Sequence, residues 1–139
     1  MSDRCLIYTS REKIDVNVLD FVFNKKFGAV VSFFGVVREC NNNKNVKSIT
    51  YHVFEELMYS IIAQKCSDLL HVGNDTKICI IQCSGDLNIG DINLIVGVGS
   101  KHRKKAFLYC NQMVEFIKKS VPIWKKEFYC DGTFEWINS

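Results

Sequence analysis

The sequence holds a single proline, Pro122, among 139 residues. Everywhere but at that one corner, breaks in regular structure must come from glycine and polar clusters. Nothing approaches the run of about 18 apolar residues that a membrane span needs. The longest run, Gly28 to Val37, is interrupted by Ser32 and Gly35, so no membrane partner is expected. The opening Met1-Ser2-Asp3-Arg4 leads straight into a short apolar run and has no signal-peptide layout. The seven cysteines contain no Cys-x-x-Cys pair. Neither a zinc site nor a disulfide framework is indicated, and the expectation is reduced, mostly buried thiols in the cytoplasm. The P-loop, the dinucleotide glycine motif and a Ser-His-acid set are also missing. The Asp86-Leu87-Asn88-Ile89-Gly90-Asp91 turn lacks EF-hand length and ligand spacing. No metal and no organic cofactor is expected. A net charge of +3 is too small to indicate nucleic acid, and the strands lack the aromatic and basic stacking pattern of RNA-binding sheets.

What is present is the composition of one folded unit. Hydrophobic residues make up 47% and charged residues 24%, which excludes a disordered chain, a collagen and a coiled coil. The length suits a single domain over 1–139. Periodicity predicts strands at Cys5–Ser10, Ala29–Val37, Val46–Phe54, Lys77–Cys83 and Ile92–Gly99. It predicts helices over about Asp15–Asn24, Glu55–Leu70 and Arg103–Lys119, and a terminal hairpin around Asp131-Gly132. Ala29–Val37 is so continuously apolar that it reads as a strand covered on both faces. Val46–Phe54 alternates Val46, Ser48 and Thr50 against Lys47, Ile49 and Tyr51. Asn41-Asn42-Asn43-Lys44-Asn45 reads as a mobile polar loop. The element order is not strict βαβ alternation and argues for an α+β fold with a mixed, largely antiparallel sheet.

The helix after Gly99 carries the clearest chemistry. Ala106, Phe107, Cys110, Met113, Val114 and Ile117 form one apolar stripe at about 100° per residue. Lys119 points away from that stripe, whereas Lys118 lies roughly 80° from its centre, at the edge. Arg103 falls almost within the stripe. A lysine at such an edge either snorkels to solvent or sits partly desolvated beside a pocket, where its amine becomes a base or nucleophile. Ser100-Lys101-His102-Arg103 places basic residues at a helix start, where the dipole opposes them. That conflict favours a phosphate or carboxylate seat. Arg38 ends an apolar strand and is either an exposed strand-end arginine or a bidentate anion ligand. Pro122 ends the helix and forces a corner flanked by Lys118 and Lys125, which either converge on an anion or form a basic surface turn with a core tryptophan.

Read together, several segments resemble the catalytic (large) subunit of molybdopterin synthase, the MoaE family. They are Gly28-Ala29, Phe34-Gly35-Val36-Val37-Arg38, Ile49-Thr50-Tyr51, Phe54-Glu55, Gly85 to Asp91, Ser100 to Arg103 with Ala106-Phe107, Pro122-Ile123-Trp124-Lys125-Lys126-Glu127 and Asp131-Gly132. The resemblance implies an α/β-hammerhead-like fold and a homodimer of large subunits within a heterotetramer. Each large subunit would bind a small ubiquitin-like sulfur carrier whose C-terminal Gly-Gly thiocarboxylate enters a pocket. Sulfur would pass to cyclic pyranopterin monophosphate to make a dithiolene. By the same resemblance Lys118 and Lys125 would be catalytic, and Arg38, His102 and Arg103 would join them in binding the substrate. One departure stands out: Gln82-Cys83 occupies the place of the family's usual His-Arg, which raises the alternative of a relative that binds the carrier without turnover.

Overall fold

The computed structural model describes residues 3–71 and 73–138. Two sheets share the chain. The first has the order β1-β5-β7-β2, built from β1 (Cys5–Ser10), β2 (Ala29–Val36), β5 (Thr76–Cys83) and β7 (Ile92–Ser100). Its β1–β5 pair is parallel and its other pairs are antiparallel. The second sheet runs β3-β4-β8-β9, with β6 (Asp86–Asn88) also pairing β4. It comprises β3 (Cys40–Asn41), β4 (Lys44–Val53), β8 (Ile123–Tyr129) and β9 (Phe134–Asn138), all antiparallel. Two α-helices, α1 (Glu55–Leu70) and α2 (Arg103–Ser120), complete the expected α+β frame with one 3-10 segment, Val16–Val22.

The core sits on the first sheet. Ile78, Ile80 and Ile81 of β5 and Leu94, Ile95, Val96 and Val98 of β7 are fully buried, which accounts for their uninterrupted apolar sequences. The helix α1 packs on β1, and α2 on β7 and β2, while the 3-10 segment packs on β5 and β7. That last packing is close: a Cβ at Gly99 would collide with the Val22 carbonyl.

Four expectations are corrected. The Asp15 cap is real, its side chain accepting from the Asn17 amide at 2.9 Å. The segment it starts is 3-10 rather than α, and it stops at Val22. Phe23 is extended and 61% exposed, because Asn24 and several β-branched residues leave little drive for a long helix. Secondly, β2 is not covered on both faces. It is an edge strand, and it exposes Phe34 (37%) and Val36 (47%). Continuous apolarity alone cannot separate a central strand from one at the edge of its sheet. Thirdly, β4 does not alternate simply. Its register slips between Val46 and Ser48, and this bulge at Lys47 puts Val46 on the buried side with Ile49 and Tyr51.

The fourth concerns the asparagine loop. It is a closed two-residue hairpin, with Asn41 opposite Lys44 and φ of 51° at Asn42 and 63° at Asn43. Asparagine tolerates this left-handed pair, as a hairpin with the strands' twist requires. The Asn41 amide also donates to Glu127 at 2.8 Å, tying the hairpin to β8.

The second sheet carries both tryptophans of the chain, Trp124 on β8 and Trp136 on β9. The Lys126 ammonium lies 4.1 Å from the Phe134 ring centre, 5.1 Å from Phe128 and 5.5 Å from Trp136. Phe134 and Trp136 are exposed and Phe128 half-buried, and the lysine lies over all three as a cation over π faces.

Candidate active site

The corner between α2 and β8 forms as the sequence dictates. Ala106, Cys110, Met113 and Ile117 are buried along α2. Phe107, assigned to the same stripe, is instead 61% exposed, and Arg103, at the first helical position, is exposed as well. Val121 caps the helix, donating its amide to the Ile117 carbonyl at 3.2 Å. Its extended backbone is what the following Pro122 demands. The chain then enters β8, where Ile123, Glu127 and Tyr129 are buried and Lys125 half-buried on the inner side.

Lys118 and Lys119 diverge here. Lys119 points outward and pairs with Glu115 one turn back, at 3.6 Å. Lys118 is exposed as a residue, yet the protein around its ammonium disfavours the charged form. That burial, and then the like charge of Lys125, lower its pKa. Two cations are thus held within electrostatic reach of each other with solvent access. An arrangement of this kind costs free energy until an anion arrives, so it is poised for a carboxylate or phosphate.

Lys125 is buttressed from across the sheet. Its register partner is Tyr51, whose hydroxyl accepts from the Asn93 side-chain amide at 2.8 Å. Burial raises the Tyr51 pKa to about 12. Asn93 in turn has its backbone carbonyl bonded by Gln82 at 3.1 Å. Asn93 was not singled out from the sequence; a lone amide inside the apolar run Ile92–Gly99 was the available signal. Gln82 and Cys83, at the family's usual His-Arg place, are both buried. Gln82 stitches β5 to β7, and burial pushes the Cys83 thiol up to about 11. Cys79 is held at about 12 and Cys110 at about 11 by burial, so these thiols are poor nucleophiles at neutral pH.

Arg38 follows β2 at the sheet end that starts β7, where Val36 is level with Ile92. Val37 is clamped beside it, donating to the Asp91 carbonyl at 3.0 Å and accepting from the Gly90 amide at 2.8 Å. The returning helix α2 brings Lys118 to this same end. His102, the N-cap of α2, and Arg103 lie at the other end of the helix, about 22 Å from Lys118 at the usual rise per residue. Within one chain the five candidate residues therefore fall into two groups: Lys118, Lys125 and Arg38 at one end, and His102 and Arg103 at the other.

The two sheets and the helices packed on them are the fold of solved molybdopterin synthase structures, which sets the class. The X-ray structure of molybdopterin synthase from Staphylococcus aureus matches with a TM-score of 0.87 and 31% identity, covering 100% of this chain and 99% of that one. The molybdopterin synthase catalytic subunit of Synechococcus elongatus is 34% identical over 119 residues, 85% of this chain and 72% of its own length. That of Dictyostelium discoideum is 33% identical over 133 residues, 94% of this chain and 84% of its own. A family model described as MoaE protein matches residues 9–120, and the chain belongs to the MoaE family. The same fold occurs in a complex of subunits 1 and 2 of molybdopterin-converting factor from Helicobacter pylori, at TM-score 0.76 and 20% identity, over 96% of this chain and 89% of that one.

Proposed function

We propose that this chain is the sulfur-transferring catalytic subunit of a molybdopterin synthase. It takes sulfur from the C-terminal thiocarboxylate of a small ubiquitin-like carrier and delivers it, in two rounds, to cyclic pyranopterin monophosphate. The observation that carries this reading is the Lys118–Lys125 pair at the α2–β8 corner. In this role the two ammonium groups hold the carrier's terminus and offset the negative charge that develops as the acyl group leaves sulfur. Arg38, His102 and Arg103 bind the substrate's anionic groups. The reaction belongs in the cytoplasm, and among the described residues no helix is long and apolar enough to cross a membrane.

The two groups of cations on one chain favour a site completed by a second copy. A homodimer pairing the Lys118 end of one protomer with the His102–Arg103 end of its partner would assemble all five residues. The exposed Phe34 and Val36 on the β2 edge suit burial in such a pairing. With one carrier on each large subunit the assembly is a heterotetramer. A binding-only role rested on Gln82-Cys83; both are buried in the core, so nothing specific favours it.

The test mixes the purified protein, a thiocarboxylated small subunit and the pterin precursor, and assays the dithiolene product. Product formation is expected, together with weaker carrier binding when its terminal Gly-Gly is deleted. Arg103→Ala is expected to weaken binding of the pterin monophosphate by about 1.5–3 kcal/mol, the size of one charged hydrogen bond, and binding of the dephosphorylated pterin much less. Absence of product with folded components refutes the reading.

A further inference from the structure

A second concentration of positive charge lies away from the Lys118–Lys125 corner. A cavity of about 400 Å³ between β1 and α1 is lined largely by apolar groups. Its neighbour, of about 650 Å³, is different: Lys26, Lys77 and Lys101 line it, with Phe27, Asn24 and Asn74. It opens at the end of the first sheet where β5 begins and β7 ends. Neither His102 nor Arg103 is among its lining residues, so Lys101 belongs to this cavity rather than to the site proposed above.

Three features make this a built site. First, its rim is laced by backbone bonds. The Gly28 amide reaches the Ser100 and Lys101 carbonyls, each at 3.1 Å, and the Lys101 amide donates to the Asp75 carbonyl at 3.0 Å. The segments bearing the cations are thus fixed before any ligand arrives, which lowers the ordering cost of binding. Secondly, the charge is not offset from within. Asp75, the acid of the lining, is bridged by Lys105 at 3.0 Å and accepts from the Thr76 hydroxyl at 3.1 Å. Among the described residues Lys26, Lys77 and Lys101 have no carboxylate within ion-pair distance. Lys77 is oriented by a ring instead, its ammonium 5.2 Å from the Phe21 ring centre. Thirdly, Phe27 is half-buried in the wall and offers a flat apolar surface beside the Asn24 and Asn74 side-chain amides.

We propose that this cavity binds a phosphate ester carrying a flat aromatic base, a ligand of nucleotide size. The phosphates meet Lys26, Lys77 and Lys101, the base lies on Phe27, and the two asparagines read its edge. The volume is within the range of small-molecule sites. Three unoffset cations match a polyphosphate better than a single carboxylate.

Isothermal titration calorimetry on the whole protein at low salt tests this, with ATP, adenosine and inorganic triphosphate as probes. The variants are the double substitution Lys26→Glu with Lys101→Glu, both at exposed positions, and separately Lys118→Ala; circular dichroism confirms folding. ATP is expected to bind at least tenfold more tightly than adenosine or triphosphate. The double variant should lose at least tenfold in ATP affinity, and Lys118→Ala should bind ATP as the unaltered protein does. Triphosphate binding as tightly as ATP would reduce the cavity to an unspecific basic surface and overturn the proposal. So would undetectable ATP binding, an unaffected double variant, or loss of ATP binding in Lys118→Ala, which would return the ligand to the sulfur-transfer site.

Discussion

Adjacent lysines at the end of α2 have opposite surroundings, and their substitution separates a site from a charged surface. Lys118→Ala is expected to remove nearly all product formation with the fold intact, because a substitution at an exposed position off the buried stripe changes stability little. Lys119→Ala is expected to keep most activity: its partner is Glu115, on the solvent side, and its field is screened beyond about 8–10 Å. Single-turnover dithiolene formation distinguishes the two, and comparable losses in both would mean a diffuse basic surface. The lowered pKa of Lys118 gives a second measurement. Burial and the Lys125 charge both disfavour its protonated form, so its amine loses its proton at a lower pH than an ordinary lysine. Removing the like charge by Lys125→Gln should move that titration upward. Side-chain nitrogen NMR reads the shift; no movement would place Lys125 too far away to matter.

At the level of elements, the helix wheel picked Lys118 over Lys119 because stripe edges follow from spacing alone. Pro122 likewise placed the corner, and the β4, α1, α2 and terminal hairpin segments lay where periodicity put them. Less legible was anything set by what lies beside an element. The bulge at Lys47 depends on pairing with β8, which no local pattern encodes. The edge position of β2 depends on sheet order, and the separation of His102 from Lys118 depends on the run of α2 across the sheet. The hairpin at Asn42-Asn43 was hidden because asparagine-rich polarity also describes an open loop. That hairpin now makes a prediction: Asn41→Ala removes the amide that meets Glu127. A buried carboxylate losing such a partner costs about 1–3 kcal/mol. Urea denaturation should show it as a lower midpoint at unchanged slope; an unchanged midpoint would mean the hairpin contributes nothing to stability.

For the whole molecule, a site shared between protomers has a signature in mixed assemblies. Lys118→Ala chains are expected to be inactive or nearly so alone, and Arg103→Ala chains strongly impaired at limiting pterin precursor. Refolded together, mixed dimers of the proposed assembly carry one site with both defects and one intact site, so activity is expected to return in part. No recovery on mixing would confine all five residues to one chain's own site. The two tryptophans lead elsewhere. Both sit on β8 and β9, and none lies on the four-stranded first sheet. Excited near 295 nm, the protein therefore emits from one side of its architecture only. Denaturation followed by that emission reports the departure of the second sheet and is blind to the isoleucine-rich one. Far-ultraviolet dichroism, weighted by α1 and α2, reports the other half. Superimposable curves from the two would show that the sheets melt as one cooperative unit. An earlier optical transition would identify the lysine-bearing sheet as the part that loosens first.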